Sequence, residues 1–389
     1  MKSYSRVKRI ILFGRCLIRA FFFSFADKMP LKISRIIVVP TGKLGDVVCA
    51  TPVLKALRDK LPKAHIIVAG NTKLHKPLLA DSGLVDEYLN LEEDGSIGRI
   101  KNCNADVALV TGPSYLPTAL LYLAGVPLVV SASVQGGFSP SETRLYKILK
   151  RFVKTFPYHI GKYAPRERLK SLEPIGIFSD STKKHLGFSE EASKKVKQFF
   201  VDNGFDLEKD FIVGISPTAG NKIKEWPEER FAEVADYMAT KYRAKIIMLG
   251  GQNDEEKVNR TVGHMGSGIK VVKITDFNID MLKSLIAKLA LFIAVDTGPI
   301  YIAEAFRVPT IDIVGPVDER VQPPHGIIHR NVIPPDRTRS ELSILNARSY
   351  NVEEAKRQVL STSVDVVLKE IDGLLRDVLA LRKEAARDA

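Results

Sequence analysis

The chain has 389 residues, 45% of them hydrophobic, which suits a globular protein large enough for two domains. Its formal net charge of +13 is concentrated in residues 1–29 and 142–170, and this favours anionic partners such as phospholipid, phosphorylated sugar or nucleic acid. The three cysteines are widely separated, which excludes a disulfide framework, provides no metal-binding spacing and favours a reducing compartment.

The first 29 residues are basic and apolar, with seven Lys/Arg against one Asp. The apolar run from Ile10 to Phe25 is interrupted by Arg15 and Arg19, so it is too short for the roughly 20 residues of a membrane-spanning helix. No small-residue cleavage site of a signal peptide follows it. On a helix, Lys8, Arg15 and Arg19 fall near one stripe, which indicates an interfacial anchor on an anionic membrane. An amphipathic helix packed on the protein's own body would give the same pattern.

Beyond residue 29 the sequence alternates between strand-like and helix-like segments. Two series of short, β-branched apolar runs predict parallel sheets covered by helices on both faces. Residues 180–208, between the two series, are polar, helical and charged, so we expect two domains that join near residue 185. The predicted strands are Ile33–Val39, Ile66–Ala69, Val107–Val110 and Leu128–Val130, and then Phe211–Ile215, Lys245–Leu249, Val271–Ile274, Leu291–Val295 and Thr310–Val314.

The first predicted strand leads into a glycine-containing loop, VVPTGKLGDVVCATP, which contains Gly42 and Gly45. This spacing fits neither a Walker loop nor a dinucleotide-binding fingerprint. The residue at the helix entrance is Asp46, an anion where a phosphate-binding loop would hold its ligand. One interpretation is that Asp46 only caps the helix and complements its dipole. The other is that the carboxylate takes part in chemistry.

The second series of strands carries a loop with the sequence ISPTAGNKIKEWPEERF. Thr218 belongs to a tight turn, and Lys222 and Lys224 supply positive charge. Pro227 and the acidic residues after it are ordinary signals for the start of a helix. The two lysines are not needed for that start, so they indicate a site for an anion.

A later loop, LFIAVDTGPIYIAEAF, places Asp296 between a buried strand and a helix. The backbone amides of Thr297 and Gly298 at the start of that helix predict an anion-binding nest that suits a diphosphate. Each loop taken singly could be a common strand-to-helix turn. Their occurrence together, in this order in one domain, favours a nucleotide site.

Four segments in this order resemble glycosyltransferase family 9, the ADP-heptose:lipopolysaccharide heptosyltransferases. They are VVPTGKLGDVVCATPVLKALRDKLPKAHI, SPTAGNKIKEWPEERFAEVADY, IIMLGGQNDEE and AVDTGPIYIAEAFRVPTIDIVGPVD, and the resemblance covers most of residues 33–320. It implies an α/β fold of GT-B type, with two doubly wound Rossmann-like domains facing a cleft. The expected parts are a basic amphipathic membrane-associating segment (1–29), an acceptor-binding domain (30–185), a nucleotide-sugar-binding domain (186–345) and a C-terminal helical segment (346–389) that can pack back on the first domain.

The resemblance also implies an activity. Family members invert the configuration of the transferred sugar, need no metal for transfer, and act at the cytoplasmic face of the inner membrane on a lipopolysaccharide core. The implied partners are therefore an ADP-linked sugar donor, by default ADP-heptose, an anionic glycolipid acceptor and the membrane surface. No cofactor beyond the donor substrate is implied.

The resemblance assigns roles to individual residues. Asp46 matches the catalytic base, and Lys224 matches the lysine that contacts the donor phosphates. Tyr301 stands where the family usually has histidine; a tyrosine brings no positive charge at neutral pH but can donate a hydrogen bond, so this departure bears on the donor's identity. The expected donor-binding residues are Thr218, Lys224, Asp296, Thr297, Gly298, Tyr301 and Glu304.

The expected acceptor-binding residues lie in the first domain. They are Gly45, Arg144, Lys147, Lys150 and Arg151, although a solvated helix face would explain the four cations equally. Two other functions stay open at this point. A nucleotide-sugar protein of the same fold could act as an epimerase or catalyse another transfer. A nucleic-acid binder is suggested by charge alone, and because no nucleic-acid module surrounds the basic segment, no nucleic-acid partner is expected.

Overall fold

The computed structural model describes residues 5–22, 26–342 and 350–387. The chain divides into two compact units, residues 1–187 and 188–389. Each unit is built on a parallel six-stranded sheet, which confirms the predicted α/β class with two doubly wound domains. None of the helices in the described ranges has an apolar stretch long enough to cross a bilayer.

The first unit contains strands in the spatial order β3-β2-β1-β4-β5-β6, all parallel. In sheets of this kind, ligands bind beyond the carboxyl ends of the strands where the strand order reverses, here between β1 and β4. The strands are β1 (Arg35–Val39), β2 (His65–Gly70), β3 (Glu87–Asn90), β4 (Val107–Val110), β5 (Leu128–Gln135) and β6 (Lys154–His159). The helices are α1 (Arg6–Phe22), α2 (Leu44–Val48), α3 (Thr51–Lys60), α4 (Thr72–Leu79), α5 (Ser96–Asn102), α6 (Tyr115–Ala124), α7 (Arg144–Leu149) and α8 (Ala164–Leu169), with 3₁₀ turns at Lys150–Phe152 and Lys170–Ile175.

Burial explains why the central strands of this unit were recognisable. All four residues of β4 are buried, as are the last four of β1, because helices cover both faces of the sheet and favour uninterrupted apolar runs. Helix α1 packs on α6 and buries Leu12 and Cys16 in the same core. One face of α1 is therefore attached to the protein's own body.

The second unit repeats the same topology, with the order β12-β11-β10-β7-β8-β9 and its reversal between β7 and β10. The strands are β7 (Ile212–Ser216), β8 (Lys245–Leu249), β9 (Val271–Ile274), β10 (Leu291–Val295), β11 (Thr310–Ile313) and β12 (His329–Val332). The helices are α9 (Glu190–Asp202), α10 (Glu228–Tyr242), α11 (Glu255–Gly263), α12 (Ile279–Ile286), α13 (Gly298–Ala305), α14 (Val352–Ser361) and α15 (Val364–Arg387), with 3₁₀ turns at Lys222–Lys224 and Gln252–Asp254.

The C-terminal helices belong to the core of this second unit. Helix α15 buries Val367, Ile371 and Leu374 against the sheet. Its Asp372 forms an ion pair with Lys241 of α10 at 2.7 Å. The expectation that this segment also packs on the first domain stays a prediction. Residues 346–349 and 388–389 of the segment lie outside the described residues.

Candidate active site

Asp46 lies in α2, directly after β1, at the point where the strand order of the first sheet reverses. Its Oδ2 accepts a hydrogen bond from the backbone N–H of Lys43 at 2.8 Å, so it does cap the helix. Its Oδ1 accepts a second hydrogen bond, at 3.1 Å, from Nη2 of Arg168. The Asp46 side chain is 18% exposed, and that of Arg168 only 4%. A helix cap needs no buried arginine from a distant part of the chain, so this contact exceeds what capping requires.

Arg168 of α8 joins the two loops on either side of the strand reversal. Its Nη1 donates to Oγ1 of Thr41, after β1, at 3.3 Å, and to Oγ1 of Thr111, after β4, at 3.1 Å. Sequence reasoning missed Arg168 as a site residue, although it lies in the basic region 142–170. The residues next to Arg168 in the sequence do not distinguish it from the other cations of that region, which a sequence pattern would place on the surface.

Two glycines make this arrangement possible. Gly42 has a φ of +116°, and a Cβ there would lie closer than 3.0 Å to the side chain of Asp46. A Cβ on Gly112 would come equally close to the hydroxyl of Thr41 and would lie 3.5 Å from Nη1 of Arg168. The loops after β1 and β4 therefore carry glycine because the backbone lies directly against the Asp46–Arg168 pair.

A second polar network lies beside Arg168. Glu167 accepts hydrogen bonds from the backbone N–H of His159 at 2.7 Å and from Nζ of Lys170 at 2.6 Å. Burial alone would raise the pKa of Glu167, but these hydrogen bonds outweigh it and lower the pKa below its ordinary value. Burial raises the pKa of the neighbouring Tyr158 to about 12, so this phenol stays neutral. Arg168 and Asp46 are both near enough to Tyr158 to influence its charge state, and they act in opposite directions.

In the second unit, Lys224 and Asp296 form an ion pair across the corresponding strand reversal. Lys224 follows β7, Asp296 follows β10, and their Nζ and Oδ2 atoms are 2.6 Å apart. Lys224 also donates to the backbone carbonyl of Asp296. The structure thus brings together two predicted donor-site residues that are far apart in the sequence, and it places them where ligands bind in such sheets.

Tyr301 completes this cluster. Its hydroxyl donates a hydrogen bond to Oδ1 of Asp296, so the two Asp296 oxygens have different partners. Thr297 is the N-cap residue of α13, and Gly298 is the first residue of that helix. Both are half-buried. Glu304 lies one turn beyond Tyr301 on α13, and its carboxylate is near enough to Asp312 to influence its charge state.

Thr218 has a structural partner in the loop after β7. It is buried, and its Oγ1 donates to Asp254 at 3.1 Å. The loop is held further by Glu225, which accepts from the backbone N–H of Ala219 at 3.1 Å and pairs with Lys257 at 2.9 Å. Sequence reasoning did not identify Glu225, because it looks like one of several ordinary acids at a helix start.

The predicted acceptor cations do not form one group. Arg144, Lys147 and Arg151 are exposed. Lys150 is largely buried and is ion paired with Glu142 at 2.8 Å. Gly45 lies inside α2 and is buried. Three of the four predicted cations are therefore exposed on the surface of the first unit, whereas Lys150 contributes to the packing of that unit.

Helix α1 exposes a continuous apolar face. Phe21 is 84% exposed and Ile18 61%. The cations Arg6, Lys8 and Arg15 are exposed on the same helix. Soluble domains rarely expose so many large apolar side chains together. The exposed apolar residues of α1 are Val7, Ile10, Ile11, Leu17, Ile18, Phe21 and Phe22, and we call them the α1 apolar face.

Comparison with known protein sequences finds a matching family model and a related protein. The sequence model of "Glycosyltransferase family 9 (heptosyltransferase)" matches residues 99–341. Lipopolysaccharide heptosyltransferase 3 of Escherichia coli K12 is 24% identical over 293 residues, which covers 70% of this chain and 80% of that protein.

Two solved structures show the same fold. The glycosyltransferase family 9 protein of Veillonella parvula DSM 2008 superimposes with a TM-score of 0.70 at 21% sequence identity. The match covers 90% of this chain and 99% of the Veillonella chain. The ADP-heptose lipopolysaccharide heptosyltransferase II of Escherichia coli has a TM-score of 0.66 at 17% identity, with the same coverage. The predicted GT-B type of fold is thereby confirmed.

Proposed function

The chain belongs to glycosyltransferase family 9, the heptosyltransferase family, and from this premise we propose that it transfers heptose from ADP-heptose to a lipopolysaccharide core or a related membrane glycolipid. The donor and acceptor classes are supported by relatives named as an ADP-heptose lipopolysaccharide heptosyltransferase and lipopolysaccharide heptosyltransferase 3. We further propose that the first domain binds the acceptor and the second binds the donor.

The observation that carries this proposal is the carboxylate of Asp46, which an arginine holds at the strand reversal. In an inverting transfer, the acceptor oxygen bonds to the anomeric carbon while the bond from that carbon to the diphosphate breaks. The hydroxyl proton goes to a base, and we assign that role to the partly exposed carboxylate of Asp46. Arg168 acts on this base as a positioning residue because it fixes Oδ1 and keeps the carboxylate oriented.

The departing ADP takes the electron pair of the broken bond and needs positive charge close to its diphosphate. We assign this to Lys224, supported by the backbone amides at the start of α13, where the helix dipole favours an anion. In the structure the charge of Lys224 is held by Asp296. Donor binding therefore involves an exchange in which the diphosphate competes with Asp296 for the Lys224 ammonium group. We propose that transfer needs no metal, because these groups supply the required charge.

The membrane surface is the third proposed partner. The α1 apolar face and its neighbouring cations suit an interfacial helix that lies in the headgroup region of an anionic leaflet. Leu12 and Cys16 attach the other side of α1 to the body of the first unit. We propose that this face holds the enzyme on the inner side of the cytoplasmic membrane. The exposed Arg144, Lys147 and Arg151 would contact an anionic acceptor there.

A panel of nucleotide sugars tests the donor and the reaction. With purified full-length protein, ADP-heptose at about 100 times its dissociation constant should add about 2.7 kcal/mol to the free energy of unfolding. UDP- and GDP-sugars serve as controls. Heptose should then reach a lipopolysaccharide acceptor that lacks it, with inverted anomeric configuration. Turnover of the donor without any acceptor would favour an epimerase or hydrolase, and no response to any nucleotide sugar would contradict the proposal.

A further inference from the structure

Asp312 of β11 is a carboxyl group that the mechanism above does not use. It is fully buried, and neither of its oxygens has a hydrogen-bond partner within residues 5–22, 26–342 and 350–387. A buried carboxylate without a partner is strongly unfavourable, because the charge loses its hydration and gains nothing in exchange. The nearby Asp296 differs in this respect, because it is paired with Lys224 and Tyr301.

The sheet register places Asp312 beneath the donor site. It pairs with Ala294 of β10 and with Asn331 of β12, and register partners in a sheet point to the same face. The opposite face carries the core that contains Ile311, Ile313 and helix α15. Helix α13, with Tyr301 and Glu304, packs against β10 and β11.

The groups that face Asp312 come from each of these elements. Asp296 follows β10, Lys224 lies in the 3₁₀ turn after β7, and Glu304 lies on α13. On β12, His329 lies on the same face of the sheet, as the register partner of Thr310, and its Nδ1 is 2.8 Å from Oγ1 of Thr310. Burial raises the pKa of Asp312 well above its usual range, Asp296 and Glu304 raise it further, and Lys224 opposes the rise.

We propose that Asp312 is a positioning residue of the donor site that acts as a neutral carboxylic acid. With Asp312 neutral, the charge of Lys224 is divided only between Asp296 and the incoming diphosphate. An ionised Asp312 would hold Lys224 between two carboxylates and would place a further negative charge below the diphosphate. The donor-binding part of this inference rests on the proposed function, whereas the neutral state of Asp312 does not.

Unfolding at two pH values tests the neutral state without any ligand. Asp312→Asn fixes a neutral group of nearly the same shape. In the wild type the folded state keeps a proton that the unfolded chain loses above about pH 3.9, so stability falls as pH rises towards the folded pKa. The unfolding constant of the wild type, divided by that of the variant, should therefore increase with pH. The increase should be at most about tenfold for each pH unit between about pH 5 and 7. A ratio that stays constant would overturn the proposal.

Asp318→Asn is the matched control. Burial alone would raise the pKa of Asp318, but hydrogen bonds and charge from Arg320 lower it below its ordinary value. Asp318 is therefore ionised in both the folded and the unfolded chain throughout that pH range. Its ratio of unfolding constants should not change between about pH 5 and 7.

Donor affinity tests the positioning role. Asp312→Asn removes no charge and should leave the dissociation constant of ADP-heptose within about threefold of the wild type at neutral pH. Asp312→Ala leaves a cavity in the sheet beside α13, the helix that carries Tyr301, and should weaken donor binding by about tenfold. Tighter donor binding by Asp312→Asn would mean that the substitution had removed a negative charge. Unchanged donor binding by Asp312→Ala would show that Asp312 does not position the donor site. Either result overturns the proposal. If no nucleotide sugar binds the wild type, the donor role fails, and the unfolding comparison still decides the neutral state.

Discussion

Gly42 and Asp46 lie so close together that a single methyl group on Gly42 could not be accommodated. The added Cβ would come closer than 3.0 Å to the Asp46 carboxyl group, and the φ of +116° is itself unfavourable for any other residue. Gly42→Ala should therefore lower the free energy of unfolding by about 2 kcal/mol. It should also lower turnover by at least about tenfold, because a displacement of about 1 Å at a catalytic group has large effects. Unfolding curves and initial rates measure the two effects.

Gly83→Ala provides the control for backbone strain alone. Gly83 also has a positive φ, +69°, but its Cβ would meet nothing within 4 Å. The substitution should cost about 1 kcal/mol in stability and leave turnover unchanged. If both variants kept full turnover, the position of Asp46 would not matter for the reaction.

Lys224 and Lys222 stand two residues apart in one loop, and the structure separates their roles. Lys224 is half-buried and paired with Asp296, whereas Lys222 is exposed. Lys224→Ala should weaken donor binding by about 10- to 100-fold and also slow transfer, because a charge-assisted hydrogen bond to phosphate contributes about 1.5–3 kcal/mol. Calorimetric titration with the donor measures the first effect. Lys222→Ala is the control and should stay within about threefold; equal losses from both variants would point to general charge attraction.

The sequence predicted the central strands and the edge strand β9, and it missed the other three edge strands. Strands β4, β8, β9 and β10 have the predicted bounds. The missed strands β3, β6 and β12 are edge strands. In β6 the exposed Thr155 and Pro157 alternate with the buried Phe156 and Tyr158. This alternation is compatible with an edge strand. It contains no continuous apolar run, which is the pattern by which the other strands were recognised.

The candidate site was predictable in its loops and not in its long-range contacts. Asp46, Lys224 and Asp296 could be found because each follows a buried strand in a recognisable loop. Arg168 could not, because its role depends on Thr41 and Thr111, which only the folded sheet brings to it. The ion pair between Lys150 and Glu142, which leaves Lys150 largely buried, could not be predicted from the sequence either.

The α1 apolar face should bind anionic membranes. Replacing Ile11, Ile18 and Phe22 together by glutamate adds charge where the helix would enter the headgroup region, so binding to vesicles that contain anionic phospholipid should fall by at least about tenfold. Sedimentation with vesicles measures binding, and donor affinity should stay unchanged. The control changes Val201 and Leu360 to glutamate; both are exposed apolar residues of the second unit. If the control reduces vesicle binding as strongly, the α1 face is not the attachment site.

Asp46 distinguishes capping from catalysis most directly, because asparagine caps a helix nearly as well as aspartate. If the carboxylate is the general base, Asp46→Asn should lower turnover by about 10² to 10⁴ and leave donor affinity unchanged. Stability should fall by about 1–3 kcal/mol as well, because the buried Arg168 loses its charged partner. Single-turnover rates, donor titration and unfolding curves measure the three quantities separately.

The double variant Asp46→Asn with Arg168→Gln separates the stability effect from the chemical one. Removing the buried guanidinium charge together with its partner should recover part of the lost stability. It should recover none of the turnover, because no group is then available to accept the hydroxyl proton. A folded Asp46→Asn protein that transfers sugar within about threefold of the wild-type rate would leave Asp46 as a helix cap alone. Recovery of turnover in the double variant would show that an unpaired arginine, and not the missing base, had slowed the reaction.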